Sequence, residues 1–227
     1  MINYIEDCKS LISHFDQFSF QTIKKDIENI RQKIKQDELV GDVLVNFQRS
    51  VVGDIEYHKL PLSEDIIKKK VIELVGIHEA KYNYLARMYN FTTEIPANSP
   101  DFDFERIWVN FQKPSGFVPL HQHSGLYSFV IWVDIPYTLK QDKITESEDH
   151  RVGTFEFVYT DCLGKLTSQV LPVDRSWQSR IALFPAELHH QVYPYYESND
   201  YRITISGNLK LSKKVVDICS NDAIIYV

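Results

Sequence analysis

Cysteine is scarce in this chain: three residues out of 227, at positions 8, 162 and 219. An odd number at such spacing builds neither a disulfide framework nor a zinc-type C-x-x-C pair, so a reducing, cytoplasmic setting is expected. Glycine (8) and proline (9) are also few, which excludes collagen-like repeats and low-complexity disorder. Long apolar runs are missing. The stretch Phe129 to Val133 is too short to span a bilayer, and no membrane partner is expected. The opening MINYIEDCKS lacks a basic segment followed by an apolar one, so no signal peptide is read there. Positive charge is not in excess. Lys+Arg 25 against Asp+Glu 31 gives a net charge of −6, which leaves no basic field for a phosphate backbone and disfavours nucleic acid as a partner.

What is present is the composition of a soluble globule, 44% hydrophobic and 25% charged. The expected organisation is a single domain over 1–227, with a helical N-terminal part over 1–95 and a β core over 100–211. Nothing in the pattern assigns an oligomeric state. Two enrichments stand out. Aromatic residues reach 13%, and four of the eight histidines fall in two clusters, HQH at 121–123 and HH at 189–190.

Periodicity divides the chain. Tyr4, Ile5, Cys8, Leu11, Ile12 and Phe15 recur at helical spacing, and a first helix is expected there. A second is expected from about Phe20 to Leu39, with Ile23, Ile27, Ile30 and Ile34 on one stripe. Segment 40–62 reads as irregular or partly extended. Ser63 reads as an N-cap with Glu64 and Asp65 in the first turn, opening a helix that reaches Tyr89. Residues 92–104 read as a connecting loop. Beyond it come short segments rich in Val, Ile, Phe, Tyr and Trp, bounded by turn formers. Strands are expected near 105–112, 117–123, 126–135, 153–159, 165–172, 179–184, 188–194 and 200–209, with a polar surface loop over 137–151. Eight short antiparallel strands are economically closed into a jelly-roll barrel, which removes exposed edges. The helices are expected on its outside, because their apolar stripes need a surface to cover. The fold class is therefore α+β, mainly β.

His121 and His123 are two apart in an extended segment, so they share a face and can ligate one metal ion together. The alternative is one buried hydrogen-bonded histidine and one lining a mouth. His189 and His190 are adjacent, so at most one faces the same site. In Arg202-Ile-Thr-Ile-Ser-Gly-Asn208, alternation puts Arg202, Thr204, Ser206 and Asn208 on one face. A guanidinium beside a hydroxyl suits a bidentate grip on a carboxylate; a solvated face with a surface ion pair is the alternative. Trp108 and Asn110 share a face of the first barrel strand. Tyr127, Trp132 and Trp177 are candidate pocket walls or core. His14, His58, His78 and His150 show no partner pattern, and Lys68-Lys69-Lys70 reads as a solvated helix face.

The order H-x-H, a long gap, H, then R-x-T within eight strands resembles the 2-oxoglutarate-dependent Fe(II) oxygenase superfamily. The resemblance is greatest to a subgroup that includes many bacterial and marine phage proteins. It is carried by Trp108-Val-Asn110, Gly116, His121-Gln-His123, the strand from Ser128 to Pro136, Phe184-Pro185, Leu188, His190-x-Val192 and Arg202 to Asn208. It covers about 100–210. It implies a double-stranded β-helix and a cytoplasmic, possibly phage-encoded, enzyme that uses Fe(II), 2-oxoglutarate and O₂ to hydroxylate a peptide side chain or a small organic molecule. It implies His121, His123 and His190 as metal ligands, and Arg202, helped by Thr204 and Asn110, as holders of 2-oxoglutarate. The departure is His123, which stands where the superfamily pattern has a carboxylate. Two competing readings are a cupin-like three-histidine metal protein and a metal-free β-barrel binding protein. Arg202 at its offset, and the lack of a glutamate shortly after His123, count against a cupin.

Overall fold

The computed structural model describes residues 2–35, 43–44, 55–57, 60–85, 102–139 and 151–212. Its elements in chain order are β1 (Asn3–Ile5), β2 (Ser10–His14), α1 (Gln17–Lys35), β3 (Val43–Leu44), β4 (Ile55–Tyr57), α2 (Glu64–Tyr82), β5 (Phe102–Gln112), β6 (Val118–His121), β7 (Tyr127–Asp134), β8 (Phe155–Thr160), β9 (Leu166–Leu171), β10 (Arg180–Pro185), β11 (His189–Val192) and β12 (Arg202–Leu211). Strands β5 to β12 are the eight expected from the sequence. They form two antiparallel layers, β10-β7-β12-β5 and β6-β11-β8-β9. The first layer is extended by β2 and β1 at the β10 edge and by β4 and β3 at the β5 edge. This is a mainly β fold of the double-stranded β-helix type, with helices on its outside.

Alternation along the larger sheet explains both of its faces. Val109, Phe111, Ile131, Ile181, Ile203 and Ile205 point outward into a cluster with Phe20, Ile23, Ile27 and Ile30 of α1 and with Ile67, Val71 and Leu74 of α2. Each such side chain contributes roughly 1.5–3 kcal/mol on burial. The opposite parity, Val130, Trp132, Ala182 and Phe184, meets Phe155, Phe157 and Leu171 of the smaller sheet.

The N-terminal segment departs from the expected helix: it is the β1–β2 hairpin. Leu11 joins the helix-side cluster and Ile12 the inter-sheet cluster, so β2 is buried on both faces and loses the alternation that marks a strand. Pairing of Leu11 with Leu183 and of Ile12 with Ala182 decides the outcome. Helix α1 begins earlier than expected because Asp16 caps it, accepting from Ser19 N–H at 2.9 Å and Ser19 Oγ at 2.6 Å. Ser63 does occupy the N-cap position of α2, but its hydroxyl donates to the buried Asp26 of α1 at 2.6 Å, and its N–H donates to the same carboxylate at 2.8 Å. Helix α2 stops at Tyr82, earlier than expected, because Asn83 adopts the left-handed conformation, φ 48°. The last part of the expected 92–104 loop, from Phe102, is already strand β5. The rest of that loop, most of the expected 137–151 loop, residues 36–39 and 86–89, His58, His150 and Cys219 lie outside the described residues. Among the described residues no helix is long and apolar enough to cross a membrane.

Candidate metal centre

Between the two sheets lies a cavity of about 330 Å³, at the small end of the range for small-molecule sites. Three imidazoles meet at one part of its wall. His121 ends β6 and lies opposite His190 on β11. His123 follows two residues beyond the strand, with its backbone N–H donating to Ala186 O at 2.9 Å. Ring centres are 4.2 Å apart for His121 and His190, and 5.0 Å for each of the other two pairs. One ring nitrogen from each of the three lies within 4.8 Å of the others. Among the described residues this is the only such group of metal-ligating side chains. His189 points the other way and is exposed. Asp134 pairs with Arg31 at 2.5 Å and Glu187 is exposed, so neither joins the cluster.

Two of the rings are oriented by carbonyls. His121 Nδ1 donates to Pro119 O at 2.8 Å, and His190 Nδ1 donates to Leu188 O at 2.9 Å. A carbonyl only accepts, so each Nδ1 carries the proton and each Nε2 keeps its lone pair. Burial lowers all three pKa values. It depresses His121, with the Pro119 and His190 backbone opposing, and brings His123 down to about 4. His190 falls well below its ordinary value through burial and the neighbouring His121. The cluster is thus neutral and basic toward a cation rather than toward a proton. Phe155 stacks on His190 at 5.5 Å, and Phe184 meets it edge-on at 5.0 Å.

Arg202 also lines the cavity, and it is almost fully buried, 2% exposed. It is not in a surface ion pair. All five guanidinium N–H groups have protein acceptors. Nε donates to Gln112 Oε1 at 2.8 Å and Nη2 to the same oxygen at 2.5 Å. Nη2 also donates to Tyr193 O at 3.0 Å. Nη1 donates to the Tyr137 hydroxyl at 2.8 Å and to Gly153 O at 3.1 Å. Every one of these acceptors is neutral. Among the described residues no carboxylate lies within ion-pair distance of Arg202. Tyr137 and Tyr195 stack at 4.8 Å beside it, and the Arg202 N–H donates to Tyr195 Oη at 3.0 Å. Next along the same wall, Asn110 Nδ2 donates to Thr204 Oγ1 at 3.3 Å and to Ser206 Oγ at 3.4 Å. Trp108 lies at the His123 side, ring centres 6.0 Å apart.

Trp132 lines the cavity, whereas Trp177 packs behind it at 5.0 Å. Tyr127 belongs to the other face of the sheet, bonded to His78 Nδ1 at 2.9 Å and in contact with Glu79 Oε1. His78 therefore has the partners that its sequence context did not reveal; its Nε2 donates to Lys9 O at 2.7 Å. Lys68 and Lys70 sit on a partly solvated face, paired with Glu64 and Glu73. Sequence reasoning missed Gln112, Tyr137 and Gly153. Gln112 could have been found, because it continues the Trp108, Asn110 alternation and pairs across the ladder with Arg202. Tyr137 and Gly153 lie outside regular strands and carry no such signal.

Residues 106–208 match the protein family described as Putative 2OG-Fe(II) oxygenase. The match runs from within β5 to within β12 and so spans the two sheets that carry the three histidines and Arg202. Among solved structures, AviO1 from Streptomyces viridochromogenes is 14% identical, with 90% of each chain covered and a TM-score of 0.53. A prolyl-4-hydroxylase from Pseudomonas putida is 11% identical, covering 89% of this chain and 92% of that one at a TM-score of 0.50. The non-heme alpha ketoglutarate dependent carbocyclase SnoK of nogalamycin biosynthesis is 8% identical, with 90% and 80% covered and a TM-score of 0.51. At such identities the likeness speaks for the fold alone. No curated protein is similar enough in sequence to match.

Proposed function

We propose that the protein is a non-haem Fe(II)- and 2-oxoglutarate-dependent dioxygenase that hydroxylates a peptide side chain, such as a prolyl group, or a small organic molecule. The observation that carries this reading is one cavity bearing two unlike ends. Three neutral imidazoles converge at one, and at the other lies a buried cation with no anion beside it among the described residues. The first end suits a divalent metal and the second a carboxylate.

His121, His123 and His190 would hold the metal, since imidazole nitrogen suits Fe(II). Arg202 would supply charge for the far carboxylate of the keto acid, with Thr204 and Asn110 beside it as hydrogen-bonding groups. When bound, Fe(II) and 2-oxoglutarate supply an oxidant from O₂, as the keto acid is converted to succinate and CO₂. The chain's own work is placement. The Pro119 and Leu188 carbonyls hold two ligand rings at fixed rotation, which raises their basicity. Trp132, Phe155 and Phe184 wall the cavity with apolar surface, which excludes water and strengthens every electrostatic contact inside. A three-nitrogen donor set adds no negative charge of its own, so the site stays positive and favours anionic ligands.

The test is to titrate Mn(II) or Fe(II) into metal-free protein with and without 2-oxoglutarate, then follow succinate formation in air. Both are expected to bind. His190→Ala should abolish metal binding, and Arg202→Ala should weaken only 2-oxoglutarate. The competing three-histidine, cupin-like reading is favoured by one observation, the complete bonding of the guanidinium. Metal uptake without 2-oxoglutarate binding would select it. Uptake of neither at micromolar to millimolar levels would leave a metal-free barrel.

A further inference from the structure

The Nε and Nη2 edge of a guanidinium is the edge on which a carboxylate docks with two parallel bonds. In this protein that edge is already taken. Gln112 Oε1 accepts from Nε at 2.8 Å and from Nη2 at 2.5 Å. The amide cannot be turned over, because Gln112 Nε2 donates to Gly116 O at 2.8 Å and a carbonyl only accepts. Gly116 keeps the loop pressed against this side chain; a Cβ there would lie 2.9 Å from Lys113 O and 3.0 Å from Gln112 Cγ. The other acceptors on Arg202 are anchored more firmly. Two are backbone carbonyls, and the third is the hydroxyl of Tyr137, whose ring is stacked on Tyr195. Gln112 alone reaches Arg202 through an unstacked aliphatic side chain, held otherwise by its bond to Gly116 O, and it lines the cavity.

We propose that Gln112 is a built-in stand-in for a ligand carboxylate: an incoming acid must displace its Oε1 from Arg202, and that competition selects anionic over neutral ligands. The inference rests on the function proposed above. An ester, amide or ketone oxygen offers the guanidinium no more than Gln112 already gives. A carboxylate replaces one shared neutral oxygen by two that carry the opposite charge and so neutralises the buried cation, which no neutral ligand does. Gln112 is thus a positioning residue acting through Arg202.

The experiment uses Mn(II)-loaded protein and calorimetric titration of 2-oxoglutarate and of its C5 primary amide. Wild-type protein should prefer the acid at least tenfold. Gln112→Ala frees the edge, so the amide should gain at least threefold and the acid-to-amide ratio should shrink. Gln112→Glu puts a carboxylate oxygen on the edge and gives up the Nε2 bond to Gly116 O. It should lose at least tenfold in 2-oxoglutarate affinity while still taking up Mn(II). A merely structural Gln112 would move both variants in the same direction. Gln112→Glu binding 2-oxoglutarate within threefold of wild type overturns the inference. So does an unchanged acid-to-amide ratio in Gln112→Ala, which decides alone if the glutamate variant does not fold. Wild-type protein that takes up Mn(II) but no 2-oxoglutarate overturns the proposed function, and this inference with it.

Discussion

Replacing Tyr137 by phenylalanine removes one oxygen from the Arg202 cage and leaves the packing intact. The ring is buried and stacks on Tyr195 at 4.8 Å with 23° between planes, and phenylalanine can keep that contact. The lost oxygen accepts from Arg202 Nη1 at 2.8 Å and donates to Gly153 O at 2.6 Å. Burial holds the phenol above its ordinary pKa even though Arg202 pulls it down, so the group lost is a neutral one. In the variant Nη1 keeps Gly153 O at 3.1 Å and has one N–H without a protein acceptor. A bond to a charged group is worth about 1.5–3 kcal/mol and a neutral one about 0.5–1.5 kcal/mol. Gly153 O still accepts from Arg202, which puts the second contribution at its lower end and the total at about 2–3 kcal/mol. At roughly 2–4 °C per kcal/mol for a chain of this size, melting should fall by about 4–12 °C. Urea unfolding of the two proteins measures it. A loss below about 0.5 kcal/mol, the level of an inert surface change, would refute this account of how the buried cation is held.

Two more outcomes follow from single positions. Gly153 has φ +77°, and a Cβ there would lie 2.7 Å from Tyr137 Cε2. Gly153→Ala should cost about 1–3 kcal/mol by strain at positive φ and, by pushing Tyr137 off Arg202, weaken carboxylate binding; denaturation and 2-oxoglutarate titration check both halves. For His78, burial brings the folded pKa down to about 4 from 6.5. The unfolded chain therefore takes up a proton that the folded chain refuses. The stability present above pH 6.5 is lost as pH falls through that window, at about 1.4 kcal/mol per unit and about 3 kcal/mol in all. Comparing urea midpoints of wild type and His78→Gln at pH values near 7.5 and 4.5 isolates this slope. A slope unchanged by the substitution would mean that His78 is not the group that titrates in this window.

The eight barrel strands are legible because each is short and β-rich, and ends at a turn former. Where β12 alternates, Arg202, Thr204 and Ser206 line the cavity, Asn208 accepts from Ser128 instead, and Ile203 and Ile205 face the helices. Strand β2 is illegible for the opposite reason. It is buried on both faces, its apolar run fits a helix as well as a strand, and only the long-range pairing with β10 settles the matter. Helix ends behave likewise: Asp16 and Asn83 set them through local conformations that a stripe of isoleucines does not encode. In the candidate site, residues on strands were readable by parity. What lay beyond reach was the far shell of Arg202, because Tyr137 and Gly153 come to it from loops and Tyr193 contributes only a backbone oxygen.

The charge balance of the cavity leads to the last prediction. Three neutral imidazoles contribute nothing, and the guanidinium contributes one positive charge with no anion among the described residues. A divalent metal at the histidines would raise the local charge to three, in a pocket walled by Trp132, Phe155 and Phe184 where screening is weak. Metal alone should therefore bind less tightly than to a site holding a carboxylate ligand. A dianionic keto acid would cancel two of those charges, so each ligand should strengthen the other. By linkage the two enhancements must be equal, and about tenfold is a moderate value for such coupling. Calorimetric Mn(II) titrations with and without saturating 2-oxoglutarate, and the reverse pair, measure both sides of the cycle. Replacing His123 by Asp supplies the missing negative charge at the metal, so it should tighten Mn(II) binding and shrink the coupling together. Equal Mn(II) affinity with and without the keto acid would show that the two ends of the cavity do not sense each other's charge.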